Sequence, residues 1–401
     1  MEQRFDGIVP AAELSERVGK LQRVMQGRVD GALIVQKTDL FYFASTAQQG
    51  WLYVPATGSP LLLIFKDHQR ACVESAWQPV VSLASVKKLP AVLAEYGYPA
   101  PTVLGLELDV LPTNLYLGYR QIFAGAEIVD IADDIRLIRA VKSPYEVEMI
   151  RRAAHCSDQV FAKVPEILAE GKTEVAAAGE LEGFARSLGH QGIVRMRMWG
   201  GELFYGHLMS GDAAAVPSYL ASPTGGAGVS PLVGQGAGFR PIGRDEPILV
   251  DYVFALNGYL ADHARIFCIG RLPDELLAAH EAMLDLQEQM KSAARPGVRT
   301  GDLYEQMVAR ADELGYHDWF MGVGERRIRF TGHGVGLELD EYPFIAKGQT
   351  MELAAGMVLA LEPKVIFPGR GVVGIENTHL VGEDGLESLT TSAEAVVSIE
   401  G

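Results

Sequence analysis

The 401-residue chain is short of cysteine, of basic charge and of long apolar runs, and each shortage removes a class of protein. Its cysteines, Cys72, Cys156 and Cys268, are odd in number and form no CxxC pair, so neither a disulfide framework nor a thiolate zinc site is expected. They read as free thiols of a reducing compartment. Lys and Arg number 35 against 51 Asp and Glu, a formal net charge of −16, which leaves no basic surplus for nucleic acid or an anionic membrane as partner. Apolar runs such as PLLLIF fall far below the roughly 18 residues of a membrane span. The opening MEQRFDGIVPAAEL has no basic region followed by an apolar stretch, so a cytoplasmic location is expected. What is present, 48% hydrophobic and 21% charged, is ordinary globular composition with enough length for two cores.

Residues 1–140 alternate helical stretches (AAELSERVGKLQRVM, HQRACVESAW, LPAVLAEYG) with short apolar strands (GALIVQ, WLYVP, PLLLIF, TVLGLEL, EIVDI), which predicts an α/β domain. The hairpin WLYVP-ATGS-PLLLIF calls for a mixed sheet. A second domain, residues 141–401, opens at Ser143-Pro144-Tyr145-Glu146, a capping box with proline at the first helical position, and its helix is expected to run to near Gly171. Another helix follows Thr173. A later pair over about 274–294 and 300–315 is divided by Pro296-Gly297, and long antiparallel strands make this half α+β.

Those strands carry the chemistry. PILVDYVFAL, Asn257-Gly258 and YLADHARIFCIG read as a hairpin, because Asn-Gly is the preferred two-residue turn. Pairing Leu256 with Tyr259 sets Val253 opposite Asp262, so Asp251 and Asp262 become diagonal neighbours on one face. In LALEPKVIFPGRGVVGIENTHLV a turn at Pro368-Gly369-Arg370 pairs Phe367 with Gly371 and sets Glu362 opposite Glu376. Like charges facing across a ladder destabilise it unless something positive lies between them. His333, between Gly332 and Gly334, adds an imidazole. Taken singly, each pair could be a solvated face and His333 a loop residue; together, in apolar strands, they predict a cage for two divalent metal ions. Carboxylates with one imidazole suit Mn, Fe, Co or Zn as divalent ions. Two ions about 3.5–4 Å apart would clamp a bridging water and polarise a carbonyl, which is hydrolytic equipment.

With VDYVFALNGYLADHAR, FTGHGVGLELDEYPF, LEPKVIFPG, GIENTHLV and the joining stretch IRLIRAVKSPYEVEMIRRAA, the chain resembles the creatinase, prolidase and aminopeptidase P family over nearly its whole length. The resemblance implies a creatinase-like N-terminal domain followed by a catalytic domain of pita-bread fold. It also implies metal ligation by the equivalents of Asp251, Asp262, His333, Glu362 and Glu376, with the Glu362 carboxylate handling the proton of the attacking water. A homodimer, in which the N-terminal domain helps cap the partner's site, is implied as well. Creatinase itself lost the metal ligands; this chain keeps all of them.

Departures from the family bear on the substrate. Ser218 stands where proline peptidases carry an upstream histidine, and Asp340 where they carry another seven residues after the ligand histidine. Serine cannot shuttle protons alone at neutral pH and an ionised aspartate only accepts hydrogen bonds. Ala264 replaces a threonine and Gly374 an arginine. His207 in FYGHLMSG is a candidate to compensate, and Arg195, Arg197 and Arg329 are candidates for binding a substrate carboxylate. The glycine-rich segment 222–243 lacks the Gly-Lys-Ser/Thr of a phosphate loop and reads as a rim loop that sets substrate choice. The leading expectation is a metal-dependent Xaa-Pro peptidase acting on small peptides, with Glu362 as base. The alternative is a metalloenzyme on a non-peptide small molecule, a C–N hydrolase or a lyase in which Asp340 abstracts a proton.

Overall fold

The computed structural model describes residues 7–219 and 222–400 and divides into two compact units with the boundary between Arg139 and Ala140. In the first unit, strands β1 (Gly31–Ile34), β2 (Gly50–Pro55), β3 (Leu61–Ile64), β4 (Val80–Ser82), β5 (Val103–Leu106) and β6 (Glu127–Asp130) form one sheet in the order β4-β3-β2-β1-β5-β6. The pairs β1/β2 and β2/β3 are antiparallel and the other three parallel, so the sheet is mixed, as the ATGS hairpin requires. Helix Ala11–Met25 buries Leu14, Val18, Leu21 and Met25, the stripe its three-and-four spacing gives. Leu33, Trp51, Tyr53, Leu63, Leu104 and Leu106 fill the core on a face of the sheet.

Helices Lys37–Ala44, Thr113–Ile122 and Ala132–Ala140 and strand β4 escape the sequence reading. The first is instructive. Thr38, Asp39, Leu40, Tyr42, Phe43 and Ala44 are all buried, and a helix covered on nearly every side has no polar face to give it a period.

The second unit follows the sequence reading closely. Helix Pro144–Ile167 carries both hydrogen bonds of the capping box at Ser143 and Glu146 and stops before Gly171. Helix Glu174–Ser187 is capped by Thr173, whose side chain accepts from the Ala176 amide. Helices Asp274–Ala293 and Thr300–Glu313 flank the Pro296-Gly297 turn. Four strands, β7 (Gly206–Ser210), β8 (Ile248–Leu256), β9 (Tyr259–Ile269) and, at the chain end, Val397–Ile399, make one sheet. A second sheet has β10 (Phe330–Gly334), β11 (Glu341–Ala346) and β12 (Val358–Leu361), joined by the strands Asn377–Val381 and Leu386–Ser388.

Between β12 and β15 (Asn377–Val381), which is followed by β16 (Leu386–Ser388), the chain turns through a separate two-stranded ribbon, β13 (Lys364–Phe367) and β14 (Gly371–Gly374). The ribbon pairs Phe367 with Gly371 and Lys364 with Gly374, and the sheet resumes with Leu361 opposite Asn377. One register therefore runs through both ladders, with a gap at Glu362-Pro363 and Ile375-Glu376. In that gap the Glu362 amide donates to Thr331 O at 3.1 Å, and the Glu376 amide donates to Ala264 O at 3.3 Å. The two glutamates face each other while their backbones are held by different strands, β10 and β9.

Candidate metal centre

The first acidic pair sits on the β8/β9 hairpin in the expected register: Leu256 opposite Tyr259, Val253 opposite Asp262. Asn257 (φ 51°) and Gly258 (φ 91°) both take the left-handed region, which a two-residue turn of this kind demands and which Asn and Gly tolerate. On the other side of β8, His207 of β7 stands directly opposite Asp251. The hydroxyl of Thr378 braces Asp262 from β15, accepting from its amide and donating to its carbonyl, each at 2.8 Å. Arg265, buried beneath the site, donates to the Glu376 carbonyl at 3.0 Å and to the Asn377 side chain at 2.8 Å, which fixes the strand that carries Glu376.

These elements bring Asp251, Asp262, His333, Glu362 and Glu376 to the floor of one cleft, partly open to solvent. His333 Nε2 lies 3.6 Å from Asp262 Oδ2 and 3.9 Å from Oε1 of both Glu362 and Glu376. Ligand atoms of Asp262, His333 and Glu376 all fall within 4.8 Å of one another, a spacing that one small cation can span.

The sequence reading overlooked a sixth member. Lys364, 1% exposed, reaches into the same acids: its Nζ donates to Asp251 Oδ2 at 3.0 Å, Glu362 Oε2 at 3.0 Å and Glu376 Oε2 at 2.6 Å. A signal was present, since Lys364 follows Glu362 by two, the period of one strand face. Gly374 stands opposite it at φ 150°, and a Cβ there would lie 2.7 Å from Lys364 Cα and 3.0 Å from its Cγ. The missing side chain, at the position where the family resemblance anticipates an arginine, is what leaves room for the lysine stem.

Burial of so many acids shows in their protonation. Burial, with Glu376 and Asp251 nearby, pushes the Asp262 carboxyl well above its ordinary range. Burial also lifts Glu376, to about 8, against the opposing pull of Lys364. Desolvation works against a charged Lys364, yet Asp251, Glu362 and Glu376 outweigh it and hold the ammonium well above its usual value. For His333, too, burial is overcome by Asp340, Glu362 and Glu376, and the imidazole is raised. Buried acids that hold protons for want of positive charge fit a divalent cation, which would replace those protons.

The remaining candidates divide. Asp340, at φ 63°, lines the cleft and sets its Oδ1 3.6 Å from His333 Nδ1. His207 also lines it; burial depresses its imidazole pKa, with Asp251 and a hydrogen bond to Gln235 opposing. Ser218 does not join them: the Gly225 and Gly226 amides both donate to Val216 O, and Ser218 packs against Gly225 instead of lining the cleft. Nor do Arg195, Arg197 or Arg329 line it. Their neighbours Met196, Met198 and Phe330 do, and Arg197 lies 3.7 Å from Glu338. The glycine-rich segment reaches the rim through Ser222 and Gln235, and Gly236 lies so close to His207 that a Cβ would come within 3.2 Å of the ring.

Comparison with known proteins gives the family. The description "Metallopeptidase family M24" matches residues 148–383, and "Creatinase/Prolidase N-terminal domain" matches residues 17–141. A Xaa-Pro dipeptidase of Pyrococcus furiosus is 26% identical, covering 94% of this chain and 98% of that protein. A probable dipeptidase PepE of Mycobacterium tuberculosis is 28% identical over 99% of this chain and 98% of its own length. Among solved structures, a Xaa-Pro dipeptidase from Bacillus anthracis superposes with a TM-score of 0.81 at 22% identity, covering 96% of this chain and all (100%) of that one. The fold is thus a creatinase-type N-terminal domain joined to the catalytic domain of these peptidases. With its matched region covering more than half the sequence, the chain belongs to metallopeptidase family M24.

Proposed function

We propose that this protein is a divalent-metal-dependent peptidase of the Xaa-Pro type, acting on small peptides. The observation that carries the reading is the convergence of three buried carboxylates, the half-buried Asp251 and His333 on one cleft floor in an M24 chain. The similarity to Xaa-Pro dipeptidases supports an amide substrate over the non-peptide alternative.

Asp251, Asp262, His333, Glu362 and Glu376 form the proposed donor set, suited to manganese, cobalt, zinc or iron as divalent ions. A divalent cation bound there supplies Lewis acidity toward the scissile carbonyl and toward water. Glu362 takes the proton of the attacking water on Oε1, the oxygen that Lys364 does not hold. Asp340, as a carboxylate at the cleft wall, accepts hydrogen bonds from the substrate's N–H groups. His207, whose imidazole pKa burial depresses, stays neutral at the cleft wall. Neither group reproduces the two imidazoles of the proline peptidases, so the proposal includes a proton route that runs through Glu362 without them. Five donors are enough for two ions, the number the sequence leads one to expect; Lys364 competes for part of that set.

A homodimer belongs to the proposal, and a monomer in sedimentation at micromolar concentration would remove it. The activity is tested by turnover of Xaa-Pro and non-proline dipeptides by Mn(II)-, Co(II)- and Zn(II)-loaded enzyme, with Glu362→Ala as control. Metal-dependent cleavage confined to Xaa-Pro and lost in the variant is expected. Absence of cleavage by every loaded form would overturn it.

A further inference from the structure

Each of the two glutamates at the centre of the cleft divides its oxygens between two sides. Glu362 turns Oε1 toward His333 Nε2 (3.9 Å) and Oε2 toward Lys364 Nζ (3.0 Å). Glu376 does the same, with Oε1 at 3.9 Å from the imidazole and Oε2 at 2.6 Å from the ammonium. Asp262 belongs to the histidine side and Asp251 to the lysine side. That is the pattern of two carboxylates bridging two cations, in which the chain itself supplies one of the cations.

We propose that the Lys364 ammonium permanently fills one of the two cation positions, so that the centre holds a single divalent ion, on Asp262, His333 and Glu376. The inference rests on the metal-dependent reading above and departs from the two-ion expectation.

Geometry and charge both support it. An ammonium has three N–H donors and no acceptor, and here all three meet a carboxylate oxygen at 2.6–3.0 Å. For a second divalent ion to bind Asp251 and the Oε2 atoms, the lysine must withdraw from all three carboxylates. Its side chain is 1% exposed, its amide and carbonyl are tied to Met321, and its stem lies against Gly374. A buried ammonium stripped of its carboxylates would be left without compensation. Retaining it beside two divalent ions would set five positive charges against the four negative charges of the acids.

The experiment counts ions. Full-length protein saturated with Mn(II) and freed of excess by gel filtration is assayed for manganese by elemental analysis and by electron paramagnetic resonance. The wild type is expected to hold one ion per chain with the six-line signal of an isolated Mn(II). Lys364→Ala, with the second position vacated, is expected to hold two and to give a broadened, exchange-coupled spectrum. Two ions per chain in the wild type would overturn the proposal while leaving a metal-dependent peptidase intact. None would overturn both. One ion in both proteins would overturn the role of Lys364, because some other feature would then set the count. If Lys364→Ala does not fold, the wild-type count and spectrum decide alone.

Discussion

Both units of the protein bury acids, and they dispose of the charge differently. In the first unit Asp39 is met by the Arg139 guanidinium at 2.6 Å, both side chains almost wholly buried. Glu107 beside them accepts the Val35 and Gln36 amides, and burial together with Asp39 pushes its carboxyl well above the ordinary range, so that it keeps its proton. The cluster closes on itself with two acids, one cation and local backbone donors. In the second unit four acids crowd around one lysine and one histidine at the bottom of an open cleft. Surplus buried negative charge that reaches solvent separates a site that takes a ligand from a cluster that only holds the fold.

The contrast can be broken most severely on the catalytic side. Glu362→Ala is expected to lower kcat/KM on Xaa-Pro substrates by about 10²–10⁴-fold, the usual worth of a general base, in steady-state assays. In the first unit, Arg139→Met leaves Asp39 buried and unpaired and should cost about 3–5 kcal/mol in urea unfolding followed by tryptophan fluorescence. It should leave metal content unchanged, and a loss of metal in this variant would mean that the two clusters are not independent.

Removing the divalent ion sharpens the same difference. A cation at about a hundredfold over its Kd stabilises by about 2.7 kcal/mol, so chelation should lower the Tm of the native protein but not that of a variant lacking His333. Smallest per step is an effect of pH, read one unit at a time. His379 lies buried in β15 beside Ser388 and burial depresses its pKa to about 3, against about 6.5 when unfolded. Its stabilisation is complete above about pH 6.5 and is lost as pH falls from there toward 3, because only the unfolded chain takes up the proton. That contribution has a slope of up to about 1.4 kcal/mol per pH unit, and His379→Gln should show a shallower acid limb in thermal melts.

Much of this was legible in the sequence where a turn fixes the register. Asn257-Gly258 and Pro368-Gly369-Arg370 each admit one pairing, and a fixed pairing decides which carboxylates share a face. Helix Pro144–Ile167 was legible from its capping box for the same local reason. Less legible was whatever depends on packing in three dimensions. Helix Lys37–Ala44 has no polar face to read. Ser218 leaves the cleft because the chain around it doubles back onto Val216, which spacing alone does not reveal. Lys364 could have been placed on the face of Glu362 by the strand period, but only the packing of the strands brings it within reach of Asp251, more than a hundred residues away.

The broken ladder at Glu362 and Glu376 also bears on how such a site can change over evolutionary time. The two amides are anchored to different strands, β10 and β9, so the positions of these carboxylates are as fixed as the sheets themselves. A lineage could not shift one of them without parting a strand pair. The rim has no such constraint: the segment around Ser222 and Gln235 borders the same cleft with little regular structure. New preferences can therefore be acquired by exchanging rim residues over an unchanging floor, which lets one chemistry serve many substrates.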